Sequence, residues 1–325
     1  MGNDPVNLGP GDRVAEQRAG RGIGREHAPA TRDQRGFAER FEQHGSGCGD
    51  FGHAREIERA RGKSQHLPPC PSGPSPTAMA SKFETFTALH VPGDPVILFN
   101  IWDVGSALAV VAAEARALAT GSHPVADANG WPDGEQVPID FALDNAARIA
   151  AAVELPLTVD FESAYSSDPN EGAANVARLK QTGAVGSNFE DQVIGGEGVH
   201  PLDSQVKRIA AIRRAVGEAF FINARTDLFL KTQTYDDALI DQVIERGKAF
   251  ADAGASGFFV PRLADPKQIE RVVSEVPLPL NVIAFPGAPD KKVWAEAGVA
   301  RISHGPFPHR ALMATLEVMA REAIS

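Results

Sequence analysis

Residues 157–191 read LTVDFESAYSSDPNEGAANVARLKQTGAVGSNFED. An apolar run, LTVDFES (157–163), opens the segment and turns polar at its end. A helical stretch follows over 171–182, with Ala174, Val176, Ala177 and Leu179 at apolar positions and Gly183 as the stop. A second run of the same kind, VGSNFED (185–191), closes it. Strand, helix and strand in this order form the repeating step of a parallel α/β fold.

The same step recurs on both sides. Upstream lie VILFNIW (96–102) and RALATGS (116–122). Downstream lie FFINART (220–226), GFFVPR (257–262), LNVIAF (280–285) and RISHG (301–305). Eight such runs between Pro95 and Gly305 predict a closed (β/α)8 barrel. Between them, Asp203 reads as the N-cap of SQVKRIAAIRRAV. The stretch from Tyr235 to Ala253 carries Leu239, Val243, Ile244 and Phe250 on one side and ends at Gly254. Pro138, Pro266 and Pro289 sit at helix starts, where a missing N–H costs little.

Residues 1–78 are of another kind: rich in Gly, Pro and Arg, without apolar periodicity, and nearly balanced in charge. This composition predicts disorder. Because Met79 opens the patterned region, residues 1–78 read as either a disordered tail or a mis-assigned start, and 79–325 as the barrel domain. The net charge of −10 falls on the barrel, which argues against nucleic acid or anionic lipid as partner. No run reaches the length of a membrane span. Cys48 and Cys70 both precede the barrel, so no disulfide framework is expected and a cytoplasmic protein is the default.

The carboxyl ends of barrel strands form the rim where chemistry occurs. On run three, Asp160 and Glu162 are two apart and are expected to face together. By the same spacing Asn188 pairs with Glu190, and Asn223 with Arg225 and Asp227. Asp133 adds a carboxylate after run two. Like charges about 4 Å apart repel by roughly 4 kcal/mol at an effective dielectric near 20. A cation is the simple remedy, and an all-oxygen donor set favours Mg2+ or Mn2+ over zinc. Arg225 offers a fork for a substrate carboxylate. The Thr120-Gly121-Ser122 turn suits an oxyanion. Gly195-Gly196-Glu197-Gly198 is a candidate lid, His123, His200 and His304 lie near the rim, and Asp103 is placed to cap a helix.

Taken in order, FNIWDVGSA (99–107), ATGS (119–122), GWPDGE (130–135), VDFESAY (159–165), NFEDQV (188–193), INARTD (222–227), FVPRL (259–263) and NVIAFPGAP (281–289) resemble the phosphoenolpyruvate mutase/isocitrate lyase superfamily over about residues 83–320. The resemblance implies a (β/α)8 barrel, a homo-oligomer (dimer or tetramer) with exchanged C-terminal helices, and Mg2+ (or Mn2+) acting on a small 2-oxo or hydroxy carboxylate. It implies Asp160 as the main metal carboxylate, with Glu162, Glu190 and Asp133 around it, largely through water. It implies Trp102, Thr120, Gly121, Ser122, Asn223 and Arg225 as substrate-binding residues. Arg225, Tyr165 and Glu190 are the catalytic candidates.

Two departures narrow the reading. The superfamily's third-strand motif carries two aspartates and a Gly-Tyr-Gly turn, whereas this chain has Glu162 and Ala164-Tyr165-Ser166. The cysteine-bearing lid of the lyase branch is replaced by VIGGEGVHP (193–201). The expected activity is therefore metal-assisted cleavage of a C–C bond beside a 2-oxo acid through an enolate, as in an oxaloacetate decarboxylase. The alternatives are C–P chemistry of the mutase type and a barrel that binds an oxo acid without turnover.

Overall fold

A computed structural model describes residues 80–232 and 235–325. The expectation for residues 1–78 falls outside the described residues. Eight parallel strands follow the eight runs: β1 Val96–Leu98, β2 Leu118–Ala119, β3 Leu157–Asp160, β4 Gly186–Glu190, β5 Phe221–Arg225, β6 Gly257–Phe259, β7 Leu280–Ile283 and β8 Arg301–Ser303. From β2 to β8 each strand pairs with the next in sequence, and β8 pairs with β1. The ring closes between β1 and β2 through a parallel bridge of Ile101 with Thr120, where Ile101 N–H donates to Ala119 O at 2.9 Å. The predicted (β/α)8 barrel is the observed fold.

Ten helices accompany the described strands. They are α1 Lys82–Ala88, α2 Val104–Ala112, α3 Ser122–Ala128, α4 Ile139–Ala152, α5 Pro169–Gln181, α6 Leu202–Val216, α7 Asp237–Asp252, α8 Pro266–Glu275, α9 Lys291–Glu296 and α10 Phe307–Ile324. Short polar caps start most of them: Ser81, Asp103, Asp168, Asp236, Asp265 and Asp290 each accept from a first-turn backbone N–H. Asp203 does not cap α6. That helix starts two residues earlier, at Leu202 behind Pro201, which leaves Asp203 in the first turn, where a carboxylate still favours the helix dipole. Leu239, Val243, Ile244 and Phe250 are buried on α7 as the periodicity predicts. Among the described residues no helix is long and apolar enough to cross a membrane.

The main core lies between the strands and the surrounding helices. A second cluster closes the amino-terminal mouth, where Phe86 of α1 packs with Val96, Leu98, Val185 and Phe221. His90 is wedged into it, stacked on Phe221 at 4.3 Å and bonded through Nδ1 to Phe86 O at 2.9 Å. Burial, then the charge of Arg301, holds its imidazole down to about 3 from an ordinary 6.5. A folded pKa below the unfolded one means the unfolded chain takes up protons first. The stability owed to neutral His90 is thus complete above pH 6.5 and drains away as pH falls toward 3. At about 1.36 kcal/mol per unit, going from pH 7.5 to pH 5 removes about 2 kcal/mol through this residue. His90→Phe is expected to shrink the difference between urea unfolding free energies at those two pH values by about that amount. An unchanged difference would show the ring is not the acid-sensitive group.

Candidate active site

Asp160 is the last residue of β3 and faces a cavity of about 440 Å³ at the carboxyl end of the barrel. Its Oδ2 accepts from the N–H and Oγ of Ser122, both at 3.3 Å, and its Oδ1 from Asn188 Nδ2 at 3.3 Å. These are long contacts, and no cation lies within ion-pair distance among the described residues. Its own N–H is held by Thr120 Oγ1 at 3.1 Å. Gly121, Ser122, Asp133, Asn188 and Arg225 line the same cavity.

Arg225 ends β5 and stands across from Asp160. Its Nε and Nη2 donate to the two carboxylate oxygens of Asp227, at 2.6 and 3.0 Å, and its Nη1 reaches Glu190 Oε2 at 2.8 Å. Burial works against the guanidinium charge, but Asp227, Glu190 and Asp160 together lift its pKa well above the ordinary value. Burial pushes the Glu190 carboxyl up, against the pull of Arg225.

Glu162 does not share a strand face with Asp160. β3 ends at Asp160, and Glu162 adopts a left-handed backbone, φ 49°, in the turn beyond. Its carboxyl lines a small neighbouring cleft that Asp160 also borders, together with Tyr165. Burial first, then the charges of Asp133 and Asp160, pushes Glu162 up to about 8. The turn is left-handed again at Ala164 and Tyr165, φ 62° and 57°. Each such residue stores on the order of 1 kcal/mol of strain, so something must hold it. Glu135 does: its Oε1 accepts from the N–H groups of Ser163 and Tyr165 at 3.0 and 2.7 Å, and its own N–H donates to Glu162 Oε2 at 2.8 Å. Arg208 grips the other side, donating to Ser163 O, Ser163 Oγ and Ser166 O at 2.7, 2.7 and 2.9 Å. Ala164 thus occupies a glycine-like conformation by being clamped from two sides.

Several expected site residues lie away from the main cavity. Trp102 packs edge-on against His309, 4.7 Å between centroids, because Asp103 behind it is committed as the α2 N-cap. Thr120 is spent on Asp160. Asn223 is buried inside the barrel, donating to Asn188 Oδ1 at 2.8 Å and Asn281 Oδ1 at 3.0 Å. Tyr165 opens on the small cleft, its hydroxyl pKa pushed up chiefly by burial. The stretch 192–199 is tied as a hairpin, with Val193 N–H bonded to Gly198 O at 3.2 Å, and none of it lines the cavity. Of the histidines, His123 and not His200 or His304 borders the cavity.

Residue spacing left Glu135, Arg208, Asn100 and Arg301 unnoticed. Asn100 Oδ1 accepts from the N–H groups of His304 and Gly305 at 2.8 and 2.7 Å and so ties β8 to β1 below the cavity. Arg301 is wholly buried within the barrel, with Nη2 on Asn188 Oδ1 at 3.2 Å. Burial lowers its pKa to about 9, against the pull of Asp160. Asn188 therefore has its oxygen held by Asn223 and Arg301, which turns its NH2 toward Asp160. A hint existed in the sequence: Asn and Arg inside apolar strand patterns are out of place unless paired.

The donor set suits a hard divalent cation. Among the described residues no three Asp, Glu, His or Cys side chains gather closely enough to cage an ion directly. Asp160 and Asp133 open on the cavity with Glu162 and Glu190 behind them, a set that could hold an ion such as Mg2+, which keeps several waters and takes few protein ligands.

An eight-stranded barrel whose carboxyl-end cavity gathers Asp133, Asp160, Arg225 and Arg262 is laid out as an enzyme. The sequence profile of the phosphoenolpyruvate phosphomutase family matches residues 86–324. The chain belongs to that family, and thereby to the phosphoenolpyruvate mutase/isocitrate lyase superfamily of lyases and mutases. It is similar to an uncharacterized protein of Mycobacterium tuberculosis, 34% identical, the match covering 70% of this chain and 84% of that one. The 2-methylisocitrate lyase of Escherichia coli K12 is 28% identical over 65% of this chain and 73% of its own. A solved protein of Burkholderia cenocepacia J2315, provisionally named a phosphonomutase, is 44% identical, with a TM-score of 0.72 over 74% of this chain and 99% of that one.

Proposed function

We propose that this enzyme is a Mg2+-dependent lyase that breaks a C–C bond next to the carbonyl of a small 2-oxo acid, with oxaloacetate-type decarboxylation as its simplest form. The observation that carries the reading is the open Asp160 carboxylate in one cavity with Arg225, with Ser122 beside Asp160. Asp160 would hold the ion, with Asp133, Glu162 and Glu190 reaching it through water; Mn2+ would serve the same donors. When bound, the ion supplies Lewis-acid polarisation of the substrate carbonyl. The rest falls to the chain. Arg225, held in place by Asp227 and Glu190, would meet the substrate carboxylate with the N–H groups these two leave over. Ser122, whose N–H and Oγ make only long contacts to Asp160, would turn toward the oxo oxygen as charge collects there. Asn188 keeps Asp160 oriented. Loss of CO2 needs no protein acid at the leaving group, consistent with a lid without cysteine. Protonation of the resulting enolate is left to water entering the cavity, since Tyr165 opens elsewhere.

A panel of oxaloacetate, substituted malates, isocitrates and phosphonopyruvate, followed by pyruvate release with Mg2+ and with EDTA, tests this. Turnover of an oxo acid that EDTA stops is expected. Undiminished turnover in EDTA would refute the metal role. Tight Mg2+-dependent binding without product would instead identify a binding barrel. C–P chemistry is the second reading, supported by the phosphonomutase-named relative and by Arg262 and His123 at the cavity wall, His123 Nε2 lying 2.6 Å from Arg310 Nη2. Faster release from phosphonopyruvate than from oxaloacetate would favour it. The enzyme is also proposed to be a homo-oligomer. Leu312, Leu316 and Met319 of α10 are about half exposed or more, and sedimentation velocity would report the assembly.

A further inference from the structure

The cavity is two-sided. Its polar corner, built from β2 to β5, holds Ser122, Asp160, Asn188 and Arg225. The opposite wall comes from β6, β7 and the segments after β5 and β8. It presents Leu230, Phe259, Ile283, Phe285 and Phe307. The Phe259 ring lies 5.6 Å from the Arg225 guanidinium and marks where one side passes into the other. At about 30 Å³ per water, a cavity of 440 Å³ has room for roughly fifteen waters. An acid of the size of oxaloacetate, about nine non-hydrogen atoms, seated at the polar corner leaves the apolar wall wet. Leu230 is 41% exposed at the lip. Beyond Phe285 the space continues into an adjoining cleft bordered by Phe229 and Tyr235, whose rings stack at 5.1 Å.

Resting on the reading above, we propose that the preferred substrate is a 2-oxo or 2-hydroxy acid carrying a branched alkyl or aryl substituent, which the Leu230–Phe259–Ile283–Phe285 wall receives. Specificity lies in that wall and not in the acid corner. Wet aromatic and aliphatic surface is an unfavourable state that an apolar substituent relieves. Each methylene so buried strengthens binding by about fourfold. Phe259, Ile283 and Phe285 thus stand at rim positions that are polar on β3 to β5, with Arg262 the charged residue on that side.

Oxamate and N-isobutyl-oxamate separate this claim from the one beneath it. Both offer the same adjacent carbonyl and carboxylate, and the second adds only an apolar branch. Titration calorimetry of the full chain in saturating Mg2+ is expected to show N-isobutyl-oxamate binding at least about tenfold tighter. In Phe285→Ala and in Leu230→Ser, two partly exposed positions on different segments, the ratio between the two ligands should fall toward one. Equal or weaker binding of the branched ligand would overturn the proposal and leave the metal-dependent oxo-acid site standing. A tenfold ratio that persists in both variants would also overturn it. Failure of both ligands to bind in Mg2+ would remove the underlying site reading, and this inference with it.

Discussion

Asp160→Asn is expected to cut turnover by at least about a thousandfold, some 4 kcal/mol of transition-state stabilisation at 1.36 kcal/mol per tenfold. The substitution keeps shape and removes one charge. Asp160 makes only 3.3 Å contacts to Ser122 and Asn188, so an amide there disturbs little packing. It also relieves repulsion with Glu162, whose pKa is raised by burial and then by Asp133 and Asp160. The fold should therefore survive, with a melting temperature close to that of the parent. What disappears is the response to metal: at a Mg2+ concentration a hundred times its Kd the parent gains about 2.7 kcal/mol of stability, and the variant none. Thermal melts with and without Mg2+, beside steady-state rates, read both effects. Parental rates in the variant would end the assignment of Asp160.

Arg225→Met acts in the opposite way, through the fold as well as the site. It leaves Glu190, 4% exposed, and Asp227, fully buried, without their common counterion. Removing one member of a buried ion pair costs about 3–5 kcal/mol. The loss has a pH signature. Without the arginine, burial keeps the Glu190 carboxyl protonated to higher pH in the folded chain than in the unfolded one. Stability of the variant then declines as pH rises, because the folded state holds more protons. Urea unfolding should show a larger deficit against the parent at pH 8 than at pH 5. Arg225→Lys retains the charge without the two-toothed fork and should fall between them in stability, while losing about 100-fold or more in kcat/KM. A deficit of less than about 1 kcal/mol for Arg225→Met at both pH values would mean the triad is not what holds this rim.

The alternation of short apolar runs with helical stretches made the barrel readable before any coordinate was considered, because strand and helix periodicities are local properties of the chain. Asp160, Ser122, Gly121 and Arg225 were readable as rim candidates because each falls at the end of a run, and Asp133 because it lies in the loop that follows run two. Glu162 was misplaced in detail for an instructive reason. Two-residue spacing predicts a shared face only while the strand lasts, and β3 stops at Asp160. Trp102 and Asn223 sit where rim residues should be, but a helix cap behind one and an amide network around the other turn them away from the cavity.

The order of strands, the caps of most helices and the acidic character of the rim follow from residues near one another along the chain, where hydrogen-bond geometry and side-chain period act over a few positions. Long-range contacts settled the rest. Glu135 reaches across from the loop after α3 to brace three left-handed residues, Arg208 reaches from α6 to the same turn, and Arg301 from β8 orients Asn188 on β4. Nothing in linear spacing announces such partners. They meet because closing the ring brings β8 back to β1 and aims side chains from opposite strands into one low-dielectric interior, where an unpaired polar group is too costly to leave alone.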